Sequence, residues 1–226
     1  MIYPINDIYP SIQGEGVQTG VPMVVLRLQG CDVGCPFCDT KETWQLRPVS
    51  KRETLAEVLG ANYMWTDMHV NDLADYIADT YPQLKWVLVT GGEPATYQLA
   101  PLVNTLHDKG YKVALETSGT ELGHEGAAFD WVCVSPKIGM PGGKLVLSAA
   151  IAPANEIKFV VGKMGDVEQI SKLLKVWLAK APLRPDVTVC LQPISQSKKA
   201  TDISIEAVMR NSWRLSIQTH KYISIL

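Results

Sequence analysis

Short apolar runs alternate with helical patterns over most of this chain, and that alternation limits the possible folds more sharply than any other property of the sequence. Residues 24–28, 86–90, 113–116, 131–135, 156–161, 187–191 and 215–219 are rich in β-branched and aromatic side chains and read as strands. Between them the apolar period lengthens. Val70, Leu73, Ala74 and Ile77 fall at i, i+3, i+4 and i+7, as do Leu99, Leu102, Val103 and Leu106, and Val167, Ile170, Leu174 and Trp177 continue the pattern. Repeated βα units predict parallel strands joined by right-handed crossovers. A closed barrel of eight units takes about 250 residues, so a chain of 226 suits about six. The expectation is an α/β fold, an incomplete (β/α)6 barrel-like core with parallel strands, in one domain covering 1–226. Residues 41–68 are long for a βα connection and are set apart as an extension. They read as a solvated excursion with a helix near 53–59, the sharper alternative being a cover over the preceding loop. Active groups are expected at the C-terminal ends of the strands, where the βα loops converge.

The first of those strand ends carries Cys31, Cys35 and Cys38 in a C-x3-C-x2-C run. Three thiolates on so short a loop suit three corners of a cubane iron–sulfur cluster and leave the fourth iron without a protein ligand. A closed structural zinc site needs four ligands, usually two short pairs, and no second pair follows. Cys133 and Cys190 lie in apolar runs and read as core residues. An odd count of five cysteines in a chain of this length argues against a disulfide framework, so the compartment is expected to be reducing.

With 46% hydrophobic and 19% charged residues, the chain can bury a sizeable core, and its net charge of −2 gives no footprint for nucleic acid or a polybasic membrane contact. The N-terminal residues lack the regions of a signal peptide, and no apolar stretch is long enough to span a bilayer. A cytoplasmic location is expected.

The sequence Cys31-Asp32-Val33-Gly34-Cys35-Pro36-Phe37-Cys38, followed one βα unit later by Thr90-Gly91-Gly92-Glu93-Pro94, resembles the radical S-adenosylmethionine (SAM) superfamily. More narrowly, Gln13-Gly14-Glu15-Gly16, Arg27-Leu28-Gln29-Gly30-Cys31, Cys38-Asp39-Thr40, Glu116-Thr117-Ser118-Gly119, Ser135-Pro136-Lys137, Leu191-Gln192-Pro193 and Gln218-Thr219-His220-Lys221 resemble the 7-carboxy-7-deazaguanine synthase family of queuosine biosynthesis, end to end. The resemblance implies a [4Fe-4S] cluster on Cys31, Cys35 and Cys38, and SAM held by Phe37, Cys38, Asp39, Gly92, Glu93, Ser135, Pro136, Lys137 and Gln192. It also implies Mg2+ at Thr40, a residue otherwise read as a turn or N-cap position. For the pterin substrate it implies contacts from Ile12, Gln13, Gly14, Glu15, Arg27 and Thr90. On sequence alone, Ser135 and Lys137 are equally ordinary strand-end polar residues.

Arg27 is informative by itself, because it interrupts an apolar strand where an unpaired charge would be expensive to bury. Its partner is either an internal carboxylate, Glu15 or Glu116, or a carboxylate of the substrate held bidentately. The second reading is favoured, since the family's substrate, 6-carboxy-5,6,7,8-tetrahydropterin, carries that group. The resemblance implies reductive cleavage of SAM, hydrogen abstraction at C6, ring contraction, regeneration of SAM and loss of ammonia. The groups that react belong to cluster and SAM, so no side chain is assigned as catalytic. An electron donor such as flavodoxin and a homodimer are the expected protein partners, with the apolar segment 213–226 able to join an interface or close the barrel. His220 is a candidate substrate neighbour. The competing classes are a radical SAM activase acting on a protein, and a non-catalytic iron–sulfur or zinc protein that would leave residues 91–94 without a purpose.

Overall fold

The computed structural model describes residues 1–180 and 183–223. A nine-stranded sheet runs through the molecule: β1 (Ile2–Ile12), β2 (Pro22–Leu28), β3 (Thr66–His69), β4 (Trp86–Gly91), β5 (Lys112–Thr117), β6 (Trp131–Val134), β7 (Glu156–Val161), β8 (Thr188–Pro193) and β9 (Arg214–Leu215). Their order is β3-β1-β2-β4-β5-β6-β7-β8-β9. From β2 to β9 every neighbouring pair is parallel, whereas β1 is antiparallel to both β2 and β3. The six-unit parallel core is as the sequence predicts. Two antiparallel strands extend one of its edges.

Helices α1 (Val70–Thr80), α2 (Ala100–Asp108), α3 (Ser148–Ile151), α4 (Met164–Lys180), α5 (Lys198–Asn211) and α6 (Thr219–Tyr222) complete the chain. The expected apolar stripes of α1, α2 and α4 are buried. They pack on one face of the sheet, against Val24, Leu26 and Leu28 of β2, Val87 and Val89 of β4, and Ile157, Phe159 and Val161 of β7. Side chains alternate along each strand, so the intervening residues turn to the other face. There Met23, Val25, Leu88 and Ala114 form a small apolar floor with Tyr9, Trp86 and Trp131 around it.

Four sequence readings change. β1 was not expected, because Pro4, Pro10 and the Asn6-Asp7 pair argue against a strand. The register shift between Ile5 and Asp7 takes up the Asn6-Asp7 pair and Pro10 lies beyond β3, while Pro4 sits opposite Asp67 of β3 and uses its carbonyl to accept from Gln29 N at 2.9 Å. The strand at 215–219 shrinks to two residues, after which Ser216 and Gln218 use their side chains to bond elsewhere. The helix near 53–59 is a single 3-10 turn, Leu55–Glu57, closed by a reciprocal capping box between Thr54 and Glu57. Residues 41–68 are also more structured than a solvated excursion. They begin by bracing the cysteine loop and end as β3, while residues 46–49 between these parts are exposed. Of the apolar terminal segment, 224–226 lie outside the described residues.

Candidate active site

The concave face of the sheet opens into a cavity of about 360 Å3 at the C-terminal ends of the strands. Strands contribute Arg27, Thr90, Glu116, Lys158 and Gln192; loops contribute the three cysteines, Gly92 and Glu93. Of the residues expected at the site, Pro136 alone is buried off the cavity wall. Cys133 and Cys190 are buried at 2% and 0% exposure and do not line it.

The cysteine loop is fixed mainly by main-chain hydrogen bonds. Gly30 N donates to Thr43 O at 2.7 Å, and Cys31 N donates to Trp44 O at 2.9 Å. The indole Nε1 of Trp44 and the backbone N of Thr40 both reach Cys38 Sγ at 3.4 Å. The Thr40 hydroxyl lies 3.6 Å from the same sulfur and makes no capping bond, while Thr40 O opens the following 3-10 turn by accepting from Thr43 N at 3.0 Å. On the other side, Gly92 N donates to Leu28 O and Glu93 N to Gly30 O, both at 2.9 Å. A Cβ on Gly92 would stand 2.1 Å from Gly30 O, so this glycine is demanded by the approach of two backbones.

Glu93 is 1% exposed, and its carboxylate is engaged within the protein. Oε1 accepts from Thr117 Oγ1 at 2.6 Å and Ala95 N at 2.9 Å, while Oε2 accepts from Ser118 N at 2.7 Å. Burial raises its pKa, against the pull of those donors. Glu93 therefore ties the glycine loop after β4 to the loop after β5. Further round the rim, Lys137 Nζ donates to Ser135 Oγ at 2.6 Å and lies 6.0 Å from the ring centre of Phe37.

Arg27 has neither internal carboxylate. Its Nη2 donates to the Tyr9 hydroxyl at 2.6 Å, and it forms no ion pair among the described residues. Glu15 and Glu116 instead bind Lys158, at 2.7 Å and 3.0 Å from Nζ. Burial would raise the Glu15 carboxyl, but the Lys158 ammonium outweighs it and holds the group down at about 2. Glu116 is raised by burial despite the same lysine. The sequence reading missed Lys158 and Tyr9. The signal for Lys158 was present: Glu156-Ile157-Lys158-Phe159 places charges at alternate positions of a buried strand, the pattern that drew attention to Arg27.

The terminal segment closes the wall beside Glu15. Gln218 Nε2 donates to Glu15 Oε1 at 2.7 Å, Thr219 N donates to Gly14 O at 2.8 Å, and the His220 ring packs so tightly on Gly14 that a Cβ there would lie 2.0 Å from Nδ1. His220 thus reaches the cavity wall.

The donor set suits an iron–sulfur cluster with one open iron. All three thiols of the loop line one wall, N–H groups point at Cys38 Sγ as they do at cluster thiolates, and no further cysteine faces the cavity. Burial, with Glu93 nearby, pushes the Cys31 thiol up to about 11, and burial also raises Cys35. A bound cation would offset that cost by taking up the thiolate charge.

The chain matches the family model described as 4Fe-4S single cluster domain over residues 12–129. It is 43% identical to 7-carboxy-7-deazaguanine synthase of Escherichia coli (strain K12) and 38% identical to that of Buchnera aphidicola, with all of both chains covered in each case. The synthase of Synechocystis is 32% identical over 99% of this chain and 93% of the relative. The crystal structure of QueE from Escherichia coli superposes with a TM-score of 0.88 at 41% identity, covering 97% of this chain and 95% of the other. Three thiols on the first βα loop, a glycine loop on the next and a mostly parallel sheet define a radical SAM enzyme. The chain belongs to the 7-carboxy-7-deazaguanine synthase family.

Proposed function

We propose that this enzyme converts 6-carboxy-5,6,7,8-tetrahydropterin to 7-carboxy-7-deazaguanine with loss of ammonia, as a ring-contracting lyase of 7-deazapurine biosynthesis. The observation that carries the reading is Arg27, a half-buried guanidinium with a hydroxyl neighbour and no carboxylate partner among the described residues, in the same cavity as the cysteine loop. A guanidinium so placed is a receptor for a substrate carboxylate.

The cluster and SAM, when bound, supply the radical hydrogen abstraction that starts the rearrangement. Cys31, Cys35 and Cys38 hold the cluster. Phe37, Cys38 and Asp39 would hold the adenine end of SAM and the main chain at Gly92 its methionyl end, with Glu93 keeping that main chain in place through Thr117 and Ser118. Ser135, Lys137 and Gln192 supply polar contacts on the far rim, and Pro136 sets the turn between the first two. Arg27 and Thr90 orient the substrate carboxylate side. Ile12, Gln13, Gly14 and Glu15 address the ring edge. The Thr40 hydroxyl, free of capping, would serve as the protein ligand of an Mg2+ ion that offsets negative charge on the substrate. The enzyme works as a single domain of residues 1–226 within a cytoplasmic homodimer, reduced by a donor such as flavodoxin and making no contact with nucleic acid or membrane.

The test is turnover. Anaerobic reduced protein given SAM, Mg2+ and the carboxypterin yields 7-carboxy-7-deazaguanine and ammonia without stoichiometric consumption of SAM, and the same pterin lacking its carboxylate is rejected. Thr40→Ala flattens the response to added Mg2+ and leaves SAM binding intact. Equal competition by the decarboxylated pterin, or 5′-deoxyadenosine formed only with a protein partner, overturns the reading in favour of an activase.

A further inference from the structure

We propose that Lys158 is the positioning residue of the substrate pocket: its buried ammonium locks the Glu15 and Glu116 carboxylates into one acceptor pair that receives the N–H-bearing edge of the substrate ring. The inference rests on the pterin reading above and extends it to a side chain outside the cysteine and glycine loops.

Lys158 stands on β7 with its side chain 4% exposed. Its Nζ donates to Glu15 Oε2 at 2.7 Å and to both oxygens of Glu116 at 3.0 Å. Glu15 comes from the loop after β1 and Glu116 from β5, so one ammonium joins three separate parts of the chain. Without it, two carboxylates brought side by side with most of their surface buried would repel each other. The remaining groups around the triad add no second cation on the sheet. Cys133 on β6 and Cys190 on β8 are buried thiols whose proton affinity is raised by burial. Glu156 lies on β7 itself, where its Oε2 accepts from Val17 N at 2.9 Å. The His220 ring approaches Glu15 from α6.

Each carboxylate keeps 19% of its side-chain surface exposed and lines the cavity, so lone pairs remain for a ligand. Their position relative to Arg27 fixes which ligand. Arg27 pairs with Thr90 across β2 and β4, and Val89 pairs with Leu115 across β4 and β5, which brings Glu116 level with Thr90 and Arg27. Two strand spacings separate the guanidinium strand from the carboxylate strand, roughly 10 Å. A fused bicyclic ring with a carboxylate at one end and an amino-pyrimidine edge at the other spans that polarity. Arg27 takes the acid and the Lys158-held carboxylates take the N–H groups.

The experiment compares wild-type holoenzyme with Lys158→Met and Lys158→Arg. In Lys158→Met, KM for the carboxypterin rises roughly ten- to hundredfold, the cost of disordering charged hydrogen bonds, while iron content and SAM affinity stay at wild-type values. The acid limb of kcat/KM moves up by about one pH unit or more, because burial then governs Glu15 without its cation. Lys158→Arg recovers part of the KM loss. If Lys158→Met does not fold, Lys158→Gln, which keeps a hydrogen-bond donor beside both carboxylates and removes the charge, carries the same measurements. An unchanged KM and pH profile, or equal losses of iron, SAM and substrate binding, overturns the positioning role. A wild-type enzyme inert toward the carboxypterin overturns the substrate reading instead.

Discussion

The cysteine wall of the cavity comes from eight consecutive residues, Cys31 to Cys38, held by backbone hydrogen bonds from Cys31 N to Trp44 O, Cys38 N to Cys35 O and Gly142 N to Val33 O. The facing wall is assembled by side chains: Glu15, Glu116, Lys158 and Gln218 meet through charge, with Gln218 lying 203 residues from the glutamate it contacts. The first arrangement fixes three sulfurs by local geometry and tolerates little backbone change. The second fixes direction and charge, and each of its members depends on partners supplied by distant elements. A substitution on the cysteine side is therefore expected to erase cofactor binding outright, and one on the carboxylate side to weaken recognition in graded steps.

The sharpest break of that contrast is Cys31→Ser, Cys35→Ser or Cys38→Ser. Each should abolish the cluster's visible absorbance and all SAM cleavage, because each thiolate serves a different iron. Cys133→Ser and Cys190→Ser should keep the cluster, whatever they cost in stability; absorbance and iron content of anaerobically reconstituted protein check both halves. If either downstream cysteine proves necessary for assembly, the local character of this wall is lost.

Gly92→Ala comes next. Its Cβ meets backbone, not a flexible side chain, at 2.1 Å, so the glycine loop and the cysteine loop must move apart. We expect a loss on the order of 1–3 kcal/mol in unfolding free energy, as for other overpacking, together with poor cluster retention. Urea unfolding and iron retention under chelator measure the two separately.

On the opposite wall, Arg27→Ala should weaken the carboxypterin by about 1.5–3 kcal/mol with SAM affinity nearly intact. Arg27→Lys should fall between, since a lysine keeps the charge and loses the fork. Parallel titrations with both ligands decide it, and a general loss of folding would return Arg27 to a structural role through Tyr9.

A further effect, read in stability and not in ligand binding, is a pH dependence. Glu15 titrates at about 2 in the folded protein against 4.5 for the free group, so its contribution is complete above about 4.5 and drains away as pH falls through about 2. Its size at neutral pH is on the order of 3 kcal/mol. Glu116 works in the opposite sense: its raised pKa favours the folded state at low pH, and that share is lost as pH rises through the raised value. The stability difference between wild type and Glu15→Gln should therefore shrink by roughly half or more between pH 7 and pH 3 in urea titrations. A constant difference would remove Lys158 as the cause of the Glu15 shift.

What the sequence determined by itself follows from short-range rules. Strand and helix periods placed six of the seven parallel strands, β9 being shorter than expected, and the stripes of α1, α2 and α4, because burial of one face is written every two or every three to four residues. C-x3-C-x2-C and Gly91-Gly92-Glu93 were legible for the same reason: their geometry is set within a few consecutive residues. Arg27 was legible as a charge in an apolar strand, although its neighbour, Tyr9, lies on a strand whose prolines concealed it. Only the tertiary structure decided which charges pair. Lys158 carried the signal of a charge in a buried strand, and Glu15 and Glu116 were candidate partners of Arg27, but nothing within any of those segments says that the sheet will bring these three onto one point and leave Arg27 to Tyr9. Ion pairing depends on distance in space and on the water excluded around it, and both quantities exist only once the strands have registered.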